Sequence, residues 1–389
     1  MKMTAIENYS NLIDSIFGHG TTSFDCTKDV YNHIIGALNN PSEFWEFKTN
    51  FTERLKRLKT IYSLHPSKIK EIIVQVNEIA SEKNWEGAFA ELATFDHFNH
   101  DILGHKTYLY KPIKPNVTID KRKTFALELG KSAANLDGYI EDISLYFDVK
   151  CFKDNVTEIL NGIYKELEIH FSRNDFNIEA EHALDISYDD IKAERNNLLA
   201  ELKTKISPTD KTKYVSSTII SHLVFRIHWG AGIQITEKTY HPFRHAENYY
   251  KMIFNYANKF VKDKPTLIVL VTFPWYNNIV SDFGGGNVKL YRALSRRFFC
   301  QYKYDNTLFN SFNSSFSDSQ TIYEVSNNLS GIIFLEDVSI LSKEPNKTNV
   351  KSYVYLNPNA INPLKKSLAI DFILGLHNTE FDDFEYDNY

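Results

Sequence analysis

One stretch of the chain, residues 135–152, constrains its fold and its chemistry more than any other. Apolar and polar residues alternate through the second half of this stretch, and a period of two predicts a half-buried β-strand. The apolar positions are Ile143, Leu145, Phe147 and Val149, and the polar positions are Ser144, Tyr146, Asp148 and Lys150. Because side chains two residues apart share one face of a strand, Asp148 and Lys150 are predicted to point the same way.

A second acid joins this face if the stretch forms a β-hairpin. A two-residue turn at residues 141–142 would set Asp137 opposite Tyr146. Cross-strand partners share a face of the sheet, and diagonal neighbours remain within reach of each other. Asp137 is therefore predicted to lie diagonal to Asp148, close enough for the two carboxylates to share an ion.

The composition is typical of a globular protein that binds no membrane. The chain has 389 residues, of which 43% are hydrophobic and 24% charged, enough for a large core and for two or three subdomains. A net charge of −5 gives no support for broad adhesion to nucleic acid or to anionic lipid, although it allows a local basic groove. The three cysteines form no C-x-x-C pair, which argues against a zinc site, an iron–sulfur cluster or a disulfide framework.

No segment predicts export or membrane insertion. The first residues lack the charged and then apolar pattern of a signal peptide. The longest apolar runs, such as residues 266–273, are far too short to span a bilayer. We therefore expect a cytoplasmic protein.

Three regions are predicted along the chain. Residues 1–80 form an N-terminal helical region, in which Pro41 and Pro66 interrupt the helical spacing of apolar residues. Residues 81–275 form an α/β core with a helical insertion around residues 155–213. Residues 276–389 form a C-terminal α/β extension.

The periodicity of apolar residues also predicts individual elements after residue 80. Helices are predicted at residues 81–98, 187–205, 242–262 and 288–299, and strands at residues 107–113, 221–235, 266–273, 331–335 and 353–356. The last ten residues, 380–389, are acidic and aromatic, and we expect this tail to be mobile.

The helix predicted at residues 81–98 carries a carboxylate, Glu91, among small and aromatic residues. Small residues such as Gly87 and Ala88 would let this helix lie close against a sheet. A carboxylate on such a face is costly unless a partner compensates its charge. A glutamate at the helix flank that reaches solvent is the simpler interpretation, and the hairpin favours the alternative, a place in a site.

Two carboxylates and an ammonium on one face suit the hydrolysis of a phosphodiester, whose anionic oxygens repel a nucleophile. Asp137 and Asp148 could hold Mg²⁺, for which Mn²⁺ could substitute, because such cations prefer oxygen ligands. The ion could polarise a phosphoryl oxygen and activate a bound water. Lys150 could steady the attacking hydroxide and the developing negative charge, and Glu91 could complete or orient the metal shell.

Asp137, the Asp148-Val-Lys150 segment and the preceding helix with Glu91 resemble the PD-(D/E)XK nuclease superfamily. The resemblance implies an α/β, restriction-endonuclease-like fold, with a central mixed β-sheet flanked by helices and an α-β-β-β-α-β core within residues 81–275. It also implies that Asp137 and Asp148 bind the metal, that Lys150 assists the attacking water and that Glu91 is the acid of the helix.

The chain departs from the pattern of the superfamily in two places. Leu136 stands where many members have proline, which matters little because proline is no metal ligand. The exonuclease branch often has Gln-x-x-x-Tyr on the following helix, where this chain has His245 and Tyr249. The specific pattern of that branch is therefore not matched.

These residues lead us to expect a Mg²⁺-dependent nuclease that hydrolyses DNA in restriction, anti-phage defence or DNA processing. The basic helices at residues 53–59 and 288–297 are the best candidates for contacts to the phosphate backbone, although a solvated helix face is the simpler interpretation of the first. A homodimer is an option by analogy, since cleavage of both strands needs two active sites. The alternatives are an RNA-cleaving enzyme of the same fold and a catalytically inactive nucleic-acid-binding or assembly module.

Overall fold

The computed structural model divides the chain into two compact units. Unit 1 comprises Met1–Phe152, Met252–Tyr276 and Ser295–Tyr389, and unit 2 comprises Lys153–Lys251 and Asn277–Leu294. The structure describes residues 4–28, 30, 32–99, 111–125, 133–172, 176–181, 186–207, 212–229, 242–276, 286–312, 320–341, 349–364, 378–385 and 387.

The described residues form helices and strands that alternate along the chain after an all-helical beginning. The helices are α1 (Ala5–Phe17), α2 (His33–Asn39), α3 (Phe47–Tyr62), α4 (Pro66–Glu78), α5 (Trp85–Asn99), α6 (Asn155–Phe171), α7 (Tyr188–Lys205), α8 (Pro242–Phe254), α9 (Gly286–Cys300), α10 (Phe309–Phe312) and α11 (Ile322–Asn327). The strands are β1 (Lys114–Asp120), β2 (Ala133–Ile140), β3 (Leu145–Cys151), β4 (Phe176–Glu181), β5 (Thr212–Ser216), β6 (Val224–Trp229), β7 (Thr266–Thr272), β8 (Gly331–Asp337), β9 (Val350–Leu356) and β10 (Asn378–Asp382).

The N-terminal helices begin at residues that satisfy the free amides of a first turn. Thr4 and Glu7 form a reciprocal capping box at α1, and the Asn32 side chain accepts from the amide of Ile35 at α2. Pro66 occupies the first turn of α4, where its missing N–H costs nothing. The predicted N-terminal helical region and its two proline breaks are confirmed, although α1 was not predicted as an individual helix.

Unit 1 is built on a mixed sheet that has seven strands among the described residues, in the order β1-β2-β3-β7-β8-β9-β10. Strands β1, β2 and β3 are antiparallel neighbours, and β7 and β8 continue the sheet parallel to β3. Strand β9 is antiparallel to β8, and β10 is parallel to β9. The expected mixed α/β architecture, with a central sheet flanked by helices, is confirmed.

The core of unit 1 lies between this sheet and the N-terminal helices. Every residue of β7 is buried, as expected for a central strand of a parallel segment. The buried sheet side chains in the cluster shared with α1 to α5 are Ile140, Leu145, Phe147, Val149, Leu267, Val269, Val271, Ile333, Leu335 and Val354. Residues 1–80 therefore share one core with the central sheet, and the expected boundary at residue 80 does not separate two structural units.

Unit 2 contains more than the helical insertion that the sequence predicted around residues 155–213. Helices α6 and α7 pack with a three-stranded antiparallel sheet, in the order β4-β6-β5. The segment has its own apolar core, in which Leu160, Leu198 and Phe225 are at most 3% exposed. The strand predicted at residues 221–235 is confirmed in part as β6, whereas β4 and β5, which are short and partly polar, were not predicted.

Two expectations about surface segments hold only in part. The basic segment 53–59 does not present its arginines to solvent, because Arg54 is 1% exposed and Arg57 is ion-paired to Asp96. The C-terminal tail is not a mobile extension throughout, because β10 pairs with β9 and Phe384 is 2% exposed.

Most of the strand predicted at residues 107–113 lies outside the described residues. In the part of the chain that the structure describes, no helix is long and apolar enough to cross a bilayer.

A buried network of charges joins α3, α5 and the end of β8. The Arg54 guanidinium lies 2.9 Å from the Asp337 carboxylate and 3.6 Å from that of Asp96. Arg57 donates two hydrogen bonds to Asp96, at 2.8 and 2.7 Å, and the Arg54 guanidinium also lies over the Phe89 ring. Arginine suits this role because its guanidinium stays charged and is weakly hydrated. The network therefore holds α3 and α5 against the C-terminal end of β8.

We expect Arg54→Met to destabilise the protein by about 3–5 kcal/mol, since it leaves two buried carboxylates with too little positive charge. Chemical unfolding measures the change. The matched control is Lys56→Met, because the Lys56 side chain is 55% exposed and pairs only with Glu53 at the surface. The control should change the unfolding free energy by less than about 0.5 kcal/mol. Equal effects of the two substitutions would show that the buried network contributes no stability.

Candidate active site

The turn of the hairpin is longer than the sequence analysis predicted. Ile140 pairs with Leu145, so four residues and not two connect β2 to β3. The connection contains a short 3-10 turn at Glu141–Ile143 and ends at Ser144, which has a φ of 53° in the left-handed region. A serine in this conformation gives no clear sequence signal, unlike the Asn-Gly pairs of short hairpins.

The longer turn moves Asp137 from a position diagonal to Asp148 to one opposite it. Backbone pairing between β2 and β3 ends at Gly138 and Phe147, one residue before the two acids. The Asp137 carboxylate then accepts a hydrogen bond from the Val149 amide at 2.7 Å. The Asp137 carboxylate, and not a backbone carbonyl of β2, is thus the acceptor for the Val149 amide.

Asp148 is the most deeply buried residue of the site. It is 0% exposed, and β3 holds it between β2 and β7. The Lys150 ammonium lies 2.5 Å from its Oδ2 atom, which confirms that these two side chains point the same way. Lys150 also lies 3.8 Å from the Asp137 carboxylate, so one ammonium contacts both acids.

Glu91 projects from α5 toward the same group of charges. Burial raises the pKa of its carboxyl to about 8, and repulsion by Asp137 and Asp148 adds to the effect, while Lys150 and Lys259 oppose it. Helix α5 packs directly against β3, which brings the Glu91 carboxyl within electrostatic reach of the strand acids. The structure therefore brings together all four of the predicted site residues.

The acids of the site outnumber the cations that compensate them. Burial and the nearby Asp148 carboxylate raise the pKa of Asp137 to about 6. Burial would lower the pKa of Lys150, but the Asp148 and Asp137 carboxylates outweigh it and raise that pKa. Three carboxyl groups face two ammonium groups, so the cluster favours a bound proton or a further cation.

Sequence reasoning missed one residue of the site, Lys259. It ends a short 3-10 turn, Ala257–Lys259, and its ammonium lies 3.3 Å from Oδ1 of Asp148. The same ammonium donates to the carbonyl of Asn135, which is 124 positions away in the chain. No local periodicity or motif marks a lysine whose partners are so distant. Tyr256, from the same segment, places its ring 5.7 Å from the Lys150 ammonium.

The two residues that stand at the exonuclease positions belong to the other unit. His245 and Tyr249 lie on α8 within unit 2, and both are buried. The Tyr249 hydroxyl donates to the Asp154 carboxylate at 3.4 Å, and Asp154 caps α6. Within unit 2, Tyr249 therefore has a local hydrogen-bond partner that accounts for its position.

The donor set of the site fits a hard divalent cation. Glu91, Asp137 and Asp148 supply only oxygen atoms, the ligands that Mg²⁺ prefers. Neither oxygen of Asp148 accepts a hydrogen bond from a backbone amide or a hydroxyl of the described residues, and its partners are the two ammoniums. Among the described residues, no three acids, histidines or cysteines already converge as a metal site. Metal binding to Asp148 would therefore require at least one of the two ammoniums to move away from it.

No family model, curated protein or solved structure matches this chain.

We expect the stability of the metal-free protein to fall as the pH rises from about 4.5 to about 8, the interval between the ordinary and the raised pKa of Glu91. The folded state holds a proton on Glu91 that the unfolded state has already released in this interval. Unfolding measured across the pH range tests this expectation. Glu91→Gln should flatten the dependence, and the exposed control Glu82→Gln should leave it unchanged. Mg²⁺ should stabilise the wild type more at the upper end of this interval, because it binds the ionised carboxylates. An unaltered pH profile in Glu91→Gln would contradict the expectation.

Gly138, beside Asp137, has no room for a side chain. A Cβ atom there would lie 2.1 Å from the ring of Phe147, which is 0% exposed. We expect Gly138→Ala to lower the free energy of unfolding by about 1–3 kcal/mol, as measured by chemical unfolding, because the ring must shift.

In the control, Gly87→Ala, the added Cβ meets nothing within 4 Å, so Gly87 is not required for close helix packing. That substitution should be neutral or stabilise α5 by up to about 1 kcal/mol. Equal stability of Gly138→Ala and the wild type would refute the steric argument.

Proposed function

We propose that this protein is a metal-dependent nuclease of the PD-(D/E)XK type that hydrolyses the phosphodiester bonds of DNA. One observation carries the proposal. Asp137, Asp148 and Lys150 from a hairpin, and Glu91 from a helix packed on it, meet in one buried cluster that has more carboxyl groups than ammonium groups. A structural ion pair would need no excess of acid, whereas a metal site does.

The order of the elements around the cluster also supports the proposal. In chain order, α5, β1, β2, β3 and β7 belong to unit 1, and the chain passes through α6, β4, α7, β5, β6 and α8 between β3 and β7. The four strands are adjacent in the sheet, with an antiparallel meander of three followed by a fourth strand parallel to the third. This order of one helix, three antiparallel strands and a parallel fourth strand supports the proposal of a PD-(D/E)XK-type core.

The residues of the chain can be given separate roles in this reaction. Bound Mg²⁺ would polarise the phosphoryl group and activate the attacking water. Glu91, Asp137 and Asp148 would hold it, with Asp148 as the rigid base of the site because β3 fixes it on both sides. The pKa of Lys150 is raised by Asp148 and Asp137 against the effect of burial, so its amine stays protonated. Lys150 therefore stabilises the negative charge of the transition state and does not remove a proton.

A phosphodiester can reach the outer part of this cluster. The side chains of Asp137 and Lys150 are 23% and 27% exposed, while Asp148 beneath them is 0% exposed. The exposure therefore decreases from Asp137 and Lys150 to Asp148, so a ligand would meet the first two side chains first. Arg54 and Arg57 of segment 53–59 are ion-paired to buried carboxylates, and the basic helix at residues 288–297 remains the candidate for backbone contacts.

Two other functions remain alternatives to DNA cleavage. The same cluster would serve an RNA-cleaving enzyme, because none of its side chains distinguishes a 2′-hydroxyl. An inactive nucleic-acid-binding or assembly module would be expected to have lost at least one of the four site residues. A role in restriction, anti-phage defence or DNA processing is part of the proposal, as is a homodimer for cleavage of both strands.

The test is an assay of the purified protein on plasmid DNA, single-stranded DNA and RNA, with Mg²⁺, Mn²⁺ or EDTA. We expect metal-dependent cleavage of DNA, and a loss of on the order of 10²- to 10³-fold in Asp148→Asn and Lys150→Met. The matched controls are Asp263→Asn and Lys264→Met, since both side chains lie on the surface before β7. Thermal unfolding of each variant excludes a loss of fold. If no substrate is cut, or if the site variants cut as well as the controls, the proposed function is wrong.

A further inference from the structure

Lys259 contacts the oxygen atom of Asp148 that Lys150 leaves unoccupied. Its ammonium lies 3.3 Å from Oδ1, while that of Lys150 lies 2.5 Å from Oδ2. The Lys259 side chain is 21% exposed, so it reaches from the surface to a carboxylate that is fully buried. Its electrostatic influence extends to Glu91 and Asp137, which places it within the acid cluster.

The two ammoniums and a metal ion cannot all use the Asp148 carboxylate in the present arrangement. Each oxygen atom already has a cation beside it, and a divalent ion would repel both cations at such short range. Binding of the metal to Asp148 therefore requires at least one lysine to leave.

Lys259 is held less firmly than Lys150. Lys150 contacts two carboxylates, Asp148 and Asp137, and lies beside the ring of Tyr256. Lys259 contacts one carboxylate, at the longer distance, and the carbonyl of Asn135. Lys259 also extends from a short 3-10 turn, whereas Lys150 extends from a central strand. Lys259 is therefore the lysine that leaves more easily.

We propose that Lys259 is a further catalytic residue, which exchanges Asp148 for the scissile phosphate of the substrate when the metal binds. This inference rests on the proposed function of the same site. In the metal-free protein, Lys259 compensates the charge of Asp148 and keeps the empty site folded. With metal and substrate bound, the Lys259 ammonium would pair with the anionic phosphate of the substrate, which must lie close to the metal-binding carboxylates. The exchange keeps every buried charge paired in both states.

The first test measures metal binding without nucleic acid. Thermal unfolding of the protein titrated with MgCl₂ compares Lys259→Met, which has a side chain of similar length, with the exposed control Lys264→Met. Lys259→Met should be less stable without metal and should bind Mg²⁺ roughly tenfold more tightly, because a competing cation is gone. Lys264→Met should match the wild type in both respects.

The second test measures substrate binding and turnover. The affinity for a short DNA duplex with hydrolysis-resistant phosphorothioate linkages is measured with Mg²⁺ over a range of salt concentrations. Loss of one phosphate contact in Lys259→Met should reduce the slope of log affinity against log salt by about 0.9, and Lys259→Arg should restore it. Cleavage of unmodified DNA should fall in Lys259→Met although its metal site is filled more readily. If Lys259 is only a structural counter-ion, Lys259→Met should have the same salt slope and the same ratio of metal affinity to activity as the wild type.

The outcomes separate this inference from the proposed function. If the wild type cuts DNA and binds Mg²⁺, but Lys259→Met equals Lys264→Met in metal affinity and salt slope, the inference is overturned and the nuclease function stands. Weaker Mg²⁺ binding in Lys259→Met would also overturn it, since the lysine would then support the metal and not compete with it. If the wild type neither binds Mg²⁺ nor cuts any nucleic acid, the proposed function fails, and the inference fails with it.

Discussion

The burial of the Asp148 carboxylate is the constraint around which the candidate site is arranged. A fully buried carboxylate is costly unless it is paired, and of its same-face neighbours on β3, Tyr146 and Lys150, one carries a positive charge. Lys150 comes from the same strand, but Lys259 must come from the segment after α8. The segment between α8 and β7 therefore supplies the second cation. Its short 3-10 turn places the Lys259 ammonium beside Asp148 of β3.

The acid cluster and the arginine network solve the same problem in different ways. Around Arg54, two buried carboxylates face two arginines, and the charges balance. Around Asp148, three carboxyl groups face two lysines, and the pKa values of Glu91 and Asp137 rise to about 8 and about 6 because burial and mutual repulsion favour their protonated forms. A network with equal numbers of acids and cations stabilises a fold, whereas a network with more acids than cations is suited to bind a further cation. This difference separates a structural cluster from the candidate site.

The errors of the sequence analysis arose where local pattern and tertiary context diverge. The hairpin was predicted with a two-residue turn, yet Ser144 adopts a left-handed conformation in a four-residue connection, which places Asp137 opposite Asp148. The basic pattern of segment 53–59 resembled a solvated face, but the carboxylates of Asp96 and Asp337 bury its Arg54. The acidic tail contains β10 because β9 offers it a partner. In each case the deciding partner is distant in the sequence.

The sequence by itself determined the alternation that makes β3 a strand, the apolar run that makes β7 a buried strand, and the identity of Glu91, Asp137, Asp148 and Lys150 as candidates for one site. These properties depend on periodicity within a few residues, because a strand or helix places its own side chains on its faces. Only the tertiary structure decided that the acids lie opposite each other and that Lys259 joins them. Those facts depend on how distant segments pack, and side-chain pairing across more than a hundred residues has no local signal in a single sequence.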